Sequence, residues 1–230
     1  SISQWAFPAN YKIKQCFEIA KKSGFDGIEL CPDETGEVTY DMSSDKIKEI
    51  KKIADDTGIQ LSSLATGLLW KYSLTSNDSK TREKGKTIVK RMLEIANGLN
   101  IDTILIIPGA VQVSWVPELG VISYDIVYER SLSAIKELSK EAEKQKVYIG
   151  LENVWNKFLL SPMEMKEFID KVGNKYVGSY FDVGNVIVSG YPEQWIRILG
   201  NRIKKVHFKD FKNSIGNING FVGLLEGDVN

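Results

Sequence analysis

Seven short apolar stretches punctuate this 230-residue chain, and six of them lead into a segment of helical periodicity. They are "SISQWAF" at the start, "DGIEL" at 26–30, "IQLSSLA" at 59–65, "TILIIPG" at 103–109, "VYIGLEN" at 147–153, a strand within "YVGSYFDVGN" at 176–185, and "IKKVHFKD" at 203–210. The fourth is apolar almost throughout, as a strand covered on both faces must be. The intervening segments carry helix signals. Asn10 or a neighbour precedes an amphipathic run closed by Gly24, and Ser43 and Ser44 precede another closed by Gly58. Ser161-Pro162 and Pro192 place proline at the opening of two later helices.

Strand-then-helix alternation at roughly 25–35 residues per unit predicts a parallel sheet with right-handed crossovers. An open doubly wound sheet and a closed (β/α)8 TIM barrel both satisfy it. No strand-to-helix turn carries a G-x-G-x-x-G or a G-x-x-x-x-G-K-[ST] motif, so the usual nucleotide signatures of open sheets are missing. A barrel typically takes about 250 residues and eight units. Seven units fit a TIM barrel whose eighth βα unit lies outside the sequence. Residues 1–230 read as one domain, trimmed at the N-terminus and incomplete at the C-terminus. No linker or low-complexity tract divides them.

Composition narrows the function classes. Lys and Arg total 30, as do Asp and Glu, for a formal charge of zero. A balanced chain has no electrostatic reason to bind nucleic acid or an anionic membrane. No apolar run approaches the ~18 residues that span a bilayer, and no charged-then-apolar leader opens the chain. Two cysteines, Cys16 and Cys31, are too few for a disulfide framework and read as reduced thiols in a cytoplasmic protein.

Active sites of such barrels lie at the C-terminal ends of the strands. Polar residues close four of them: Glu29, Glu152, Asp182, and the lone histidine His207 with Lys209 and Asp210 beyond it. Glu152, Asp182 and His207 come from three consecutive strands. With strands ~4.8 Å apart, they would converge near the barrel axis. Two carboxylates and an imidazole suit Mn²⁺, Mg²⁺ or Co²⁺ more than a thiolate-seeking ion. Each residue alone has a plainer reading: a hydrogen-bonded structural histidine, a lysine-paired glutamate, a turn aspartate in "DVGN". The metal reading rests on the three together. Glu29 is a candidate substrate contact or a supporting acid. Trp5, Phe7, Trp70, Trp115 and Trp155 cluster near strand ends, where aromatic faces could wall a sugar pocket or simply pack. Lys157 and Lys209 are candidates for gripping a phosphate. "FKNSIGNINGFVG", after the seventh strand, reads as a mobile loop able to cover the site.

At these residues the chain resembles the xylose isomerase-like TIM barrels, and within them the sugar and sugar-phosphate 3-epimerases. "GFDGIEL", "SLTSND", the fifth-strand Glu, "YFDVGN", "KVHFKD" and "EGDVN" fall in the family's order and spacing over nearly the whole chain. The resemblance implies a divalent metal, Mn²⁺ first with Mg²⁺, Co²⁺ and Zn²⁺ as alternatives, held by Glu152, Asp182, His207 and a fourth acid on an eighth strand. It implies that Glu152 is one of two glutamates that exchange the C3 proton of a ketose through a cis-enediolate. It implies a small-molecule ketose or ketose phosphate as partner, with Glu29, Trp5, Trp115, Asn185 and Lys209 as substrate contacts. Without the fourth ligand and second glutamate, residues 1–230 read as part of a longer protein or as inactive.

Two departures bear on the substrate. Tagatose-type epimerases usually carry a second Glu shortly after the fifth-strand ligand, where this chain has Phe158, Leu159 or Leu160. They also carry a His where this chain has Asn185. "DVGN" is more similar to the L-ribulose-5-phosphate and hexulose-6-phosphate branch. Other enzymes on the same scaffold stay open: aldose–ketose isomerase, hydroxypyruvate isomerase, inosose dehydratase. So does a non-catalytic ligand-binding barrel. Endonuclease IV shares the scaffold, but its three-zinc site needs several histidines. Related barrels often form dimers or tetramers, so a homo-oligomer is admitted, although no contiguous feature marks an interface.

Overall fold

A computed structural model describes residues 1–230, apart from the side chain of Glu118. Seven parallel strands form one sheet in sequence order: β1 (Ile2–Ser3), β2 (Gly27–Leu30), β3 (Gln60–Leu64), β4 (Thr103–Ile106), β5 (Tyr148–Glu152), β6 (Val177–Asp182) and β7 (Ile203–His207). Between them run α1 (Ile13–Lys22), α2 (Ser44–Thr57), the short α3 (Leu68–Lys71), α4 (Ser79–Gly98), α5 (Tyr124–Gln145), α6 (Pro162–Val172) and α7 (Pro192–Leu199).

Local chemistry sets the boundaries. Ser43 Oγ accepts from Lys46 N–H at the start of α2, and Gly58 ends it in the left-handed region at φ +71°. Ser161 caps α6 with Pro162 at its first position. Asp78 accepts from the amides of Lys80 and Thr81 to open α4. At α1 the cap is not Asn10. The flanking residue is Lys12, and the exposed first amides are met from elsewhere. Gln15 Oε1 accepts from Lys12 N–H, and Glu37 Oε2, from the β2–α2 loop, accepts from Ile13 N–H at 2.7 Å. The first strand is also shorter than "SISQWAF", because Gln4–Ala6 turn into a 3-10 helix.

The main core lies between the outer face of the sheet and the helices. Ile28, Leu30, Leu64, Ile104, Ile106, Leu151 and Phe181 pack there against Phe17, Ile50, Met92, Leu138 and Phe168. Inside the sheet's curve a smaller buried group, Ala65, Leu105 and Tyr180, fills the space below the strand ends. The segment after β7 is not a structureless loop. Asp210–Phe211 (β8) and Phe221–Val222 (β9) pair antiparallel, and Phe211 packs on Phe221 and Trp155 with ring centroids 5.1 and 5.5 Å apart. Aromatic burial orders a stretch whose Gly and Asn content reads as loop. Asp210 adds to this by accepting from the amides of Phe211, Gly227 and Val229.

Candidate metal and substrate site

Register decides which side chains meet. Paired residues on neighbouring parallel strands face the same side, and alternate residues along a strand share that side. Glu152 pairs with Tyr180, and Asp182, two residues on, pairs with His207. All four therefore face the inside of the sheet at its C-terminal end. One ligand atom each from Glu152, Asp182 and His207 lies within 4.8 Å of the others. Register shifts fall between Ile28 and Glu29 and between Ser179 and Tyr180. Such bulges re-aim side chains, and here they flank two residues that bond each other: Tyr180 O–H donates to Glu29 Oε2 at 2.7 Å.

The aspartate is held rigidly. Asn153 Oδ1 accepts from Asp182 N–H, Asn153 Nδ2 donates to Asp182 C=O, and Asn185 N–H donates to Asp182 Oδ1. The other oxygen, Oδ2, is buried, and its neighbour is the Lys209 ammonium, 2.8 Å away as an ion pair. Burial raises the Asp182 carboxyl above its ordinary range. Lys209 opposes that rise and Glu152 adds to it.

His207 sits between two carboxylates. Nδ1 is 3.4 Å from Glu152 Oε1, and Nε2 is 3.0 and 3.1 Å from the two Glu29 oxygens. Burial disfavours the imidazolium, but Glu152 and Glu29 outweigh it and push the imidazole up to about 10. Burial likewise opposes ionisation of Glu29, while donation from His207, Tyr180 and Ser63 holds its carboxyl below the usual range. Two carboxylates and one imidazole fit a hard or borderline divalent cation. Glu152, Asp182 and His207 would hold it.

Above these residues opens a cavity of about 900 Å³, with Glu29, Glu152, Tyr180, Asn185, His207 and Lys209 in its lining. Trp5, Trp70, Trp115 and Trp155 wall it, Trp70 meeting Trp115 edge-on at 5.2 Å. Of the candidate substrate contacts, Trp5, Trp115 and Lys209 reach the cavity with exposed surface. Glu29 is buried and bonded to Ser63, Tyr180 and His207. Asn185 lines the cavity, but its amide is engaged: Nδ2 donates to Asn153 C=O, and its own C=O accepts from Trp155 Nε1. Lys157 lies on a neighbouring groove behind Trp155 instead.

Ser63, Asn153 and Tyr180 escape a reading that asks only what closes each strand. The period-two rule finds Tyr180, two residues before Asp182 on the same face. On β3, where Gln60, Ser62 and Ser63 are all polar, it is the pairing with Glu29 that singles out Ser63. Asn153 follows Glu152 directly, and nothing in its sequence setting announces the double hydrogen bond to the next strand.

A family model described as xylose isomerase-like TIM barrel matches residues 17–230. The L-ribulose-5-phosphate 3-epimerase UlaE of Escherichia coli is 23% identical over 225 residues, covering 93% of this chain and 74% of that protein. A protein of Escherichia coli K12, provisionally named L-ribulose-5-phosphate 3-epimerase SgbU, is 24% identical over 203 residues. The match covers 84% of this chain but 66% of SgbU, so the chain spans just under two thirds of that relative's length. Among solved structures, D-psicose 3-epimerase of Clostridium cellulolyticum H10 with D-tagatose superposes with a TM-score of 0.78 at 22% identity, over 91% of this chain and 73% of that one. That likeness is one of fold. With the strand order and the family match together, the chain belongs to the xylose isomerase-like TIM barrels.

Proposed function

We propose that this chain is part of a divalent-metal-dependent epimerase that inverts C3 of a ketose or ketose phosphate. One observation carries the reading: donor atoms of Glu152, Asp182 and His207 lie within 4.8 Å of one another at the floor of an aromatic-walled cavity large enough for a sugar. The name of UlaE, an L-ribulose-5-phosphate 3-epimerase, and the same name given provisionally to SgbU support this class. A divalent ion, Mn²⁺ by preference from the mixed oxygen and nitrogen set, would supply the positive charge that polarises a substrate carbonyl and acidifies the adjacent C–H.

The chain's own residues do the rest. Glu152 reaches the cavity with an oxygen not fixed by a backbone donor and takes the C3 proton. Asp182 is held by Asn153 and Asn185 so that its position does not shift as charge develops. The tryptophan walls exclude water and offer flat apolar faces to the sugar's C–H surfaces. Lys209 is the ammonium nearest the site and the natural partner for a substrate oxygen or phosphate. Inversion needs a proton donor on the opposite face. The resemblance assigns that role to a glutamate on an eighth strand. Two buried free cysteines, Cys16 and Cys31, are consistent with a cytoplasmic setting.

The test is product analysis of the full-length protein with Mn²⁺ and a panel of ketoses and ketose 5-phosphates. The reading expects the C3 epimer of at least one substrate, abolished by EDTA and restored by Mn²⁺. Aldose products in place of the epimer would replace epimerisation with isomerisation.

A further inference from the structure

Glu29 is the one carboxylate at the strand ends that the proposed chemistry leaves without a task. Its exposure is 2% and it projects from β2, on the far side of the site from β5–β7. It lines the cavity, but little of its surface is open there. Every bond it makes points inward. Ser63 Oγ donates to Oε2 at 2.9 Å, Tyr180 O–H donates to the same oxygen at 2.7 Å, and His207 Nε2 lies 3.0 and 3.1 Å from the pair.

A carboxylate that already accepts from two hydroxyls is fixed in place. A fixed carboxylate facing one imidazole nitrogen selects the tautomer with its proton on that nitrogen. The other nitrogen, Nδ1, lies 3.4 Å from Glu152 Oε1 and is the one left to give its lone pair to a cation that Glu152 also binds. Tyr180 adds a second restraint, since its ring lies 4.6 Å from the imidazole, tilted by 56°. The backbone makes room for that ring at Gly150, where a Cβ would fall 2.9 Å from Tyr180 Cβ.

We infer that Glu29, locked by Ser63 and Tyr180, is a positioning residue that holds His207 with Nε2 protonated, so that Nδ1 is the metal-binding nitrogen. The inference rests on the metal-dependent reading above. Its physical content is the carboxylate–histidine–metal relay, in which the carboxylate behind the histidine fixes the ring and raises its basicity. Loss of such a partner typically weakens metal binding by about 10–100-fold.

Two measurements on the full chain test it. His207 is the only histidine within residues 1–230, so its signals in a long-range proton–nitrogen NMR spectrum are assigned by comparison with His207→Gln. With Zn²⁺ as a diamagnetic probe, the inference expects the metal on Nδ1 and a proton on Nε2. The reverse assignment overturns it. Titration calorimetry with Mn²⁺ gives the second arm. Glu29→Ala should bind about 10–100-fold more weakly than the parent. Glu29→Gln, whose amide oxygen can still accept from Nε2–H, should fall between them, and Tyr180→Phe should show a smaller loss. Folded Glu29→Ala with parental affinity overturns the inference. If Glu29→Ala does not fold, the NMR assignment and Tyr180→Phe decide. A parent protein that binds neither ion defeats this inference and the metal-dependent reading together. A parent that binds metal on Nδ1 yet epimerises no ketose defeats only the activity.

Discussion

The floor and the walls of the cavity are built by different means. On the floor, Glu29, Glu152 and Asp182 are 2%, 8% and 0% exposed and come from strands whose register is set by the sheet ladder; Glu29 is bonded to Ser63 and Tyr180, Asp182 to Asn153 and Asn185, and Glu152 faces His207. On the walls, Trp5 and Trp115, with Phe208 and Leu224 of the same lining, are 57%, 46%, 74% and 62% exposed and stand outside the strands. The floor is pre-organised, which is what charge stabilisation and proton transfer require. The walls sit on the connections between strands, where side chains can differ without disturbing the sheet. Under the proposed function, the type of chemistry belongs to the floor and the choice of substrate to the walls.

Substitutions should separate the two regions by the size and kind of their effects. Asp182→Ala removes a carboxylate ligand and should abolish metal binding. Full metal content in the purified variant, read by elemental analysis, would remove Asp182 from the site. His207→Gln should cut turnover by orders of magnitude while the protein stays folded, because the imidazole is a site group and not a core one. A near-normal rate would make the histidine structural. Asn153→Ala breaks the double bond to Asp182 and strands buried backbone groups, at a cost of about 2 kcal/mol. The thermal midpoint should fall by roughly 4–8 °C for a chain of this size, with metal affinity falling alongside. An unchanged midpoint and affinity would show that the clasp does not stabilise the floor. Trp115→Ala should act on the wall alone, raising KM about fivefold, the equivalent of about 1 kcal/mol, with kcat and metal content nearly unchanged. A large fall in kcat would erase the division between floor and wall.

Much of the architecture is legible in the chain because parallel strands and their helices carry strong local signals. The seven strands, the Gly58 stop, the Ser43 cap and the Pro162 and Pro192 starts are local chemistry read in place. The convergence of Glu152, Asp182 and His207 is legible for the same reason, since one rule of barrel geometry puts successive strand ends together. What escapes depends on contacts distant in sequence. Glu37 satisfies the start of α1 from another loop, displacing the expected Asn10 cap. Asn153 reaches across to the next strand. Glu29 reads equally as a substrate contact or a supporting acid, and its three partners, from β3, β6 and β7, are not visible in the sequence. The β8–β9 pair forms because Phe211, Phe221 and Trp155 pack together, a tertiary event that overrides loop-like composition.

The central claim is that Glu152 moves the C3 proton of a ketose. Its most direct test is solvent exchange with the full-length protein, Mn²⁺ and a ketose panel in D₂O, following deuterium at C3 by NMR. The account predicts exchange that requires the metal, is lost with EDTA, and stops in Glu152→Gln even where that variant still retains metal. Exchange that continues in metal-loaded Glu152→Gln, or none with any ketose in metal-loaded parent protein, would contradict it.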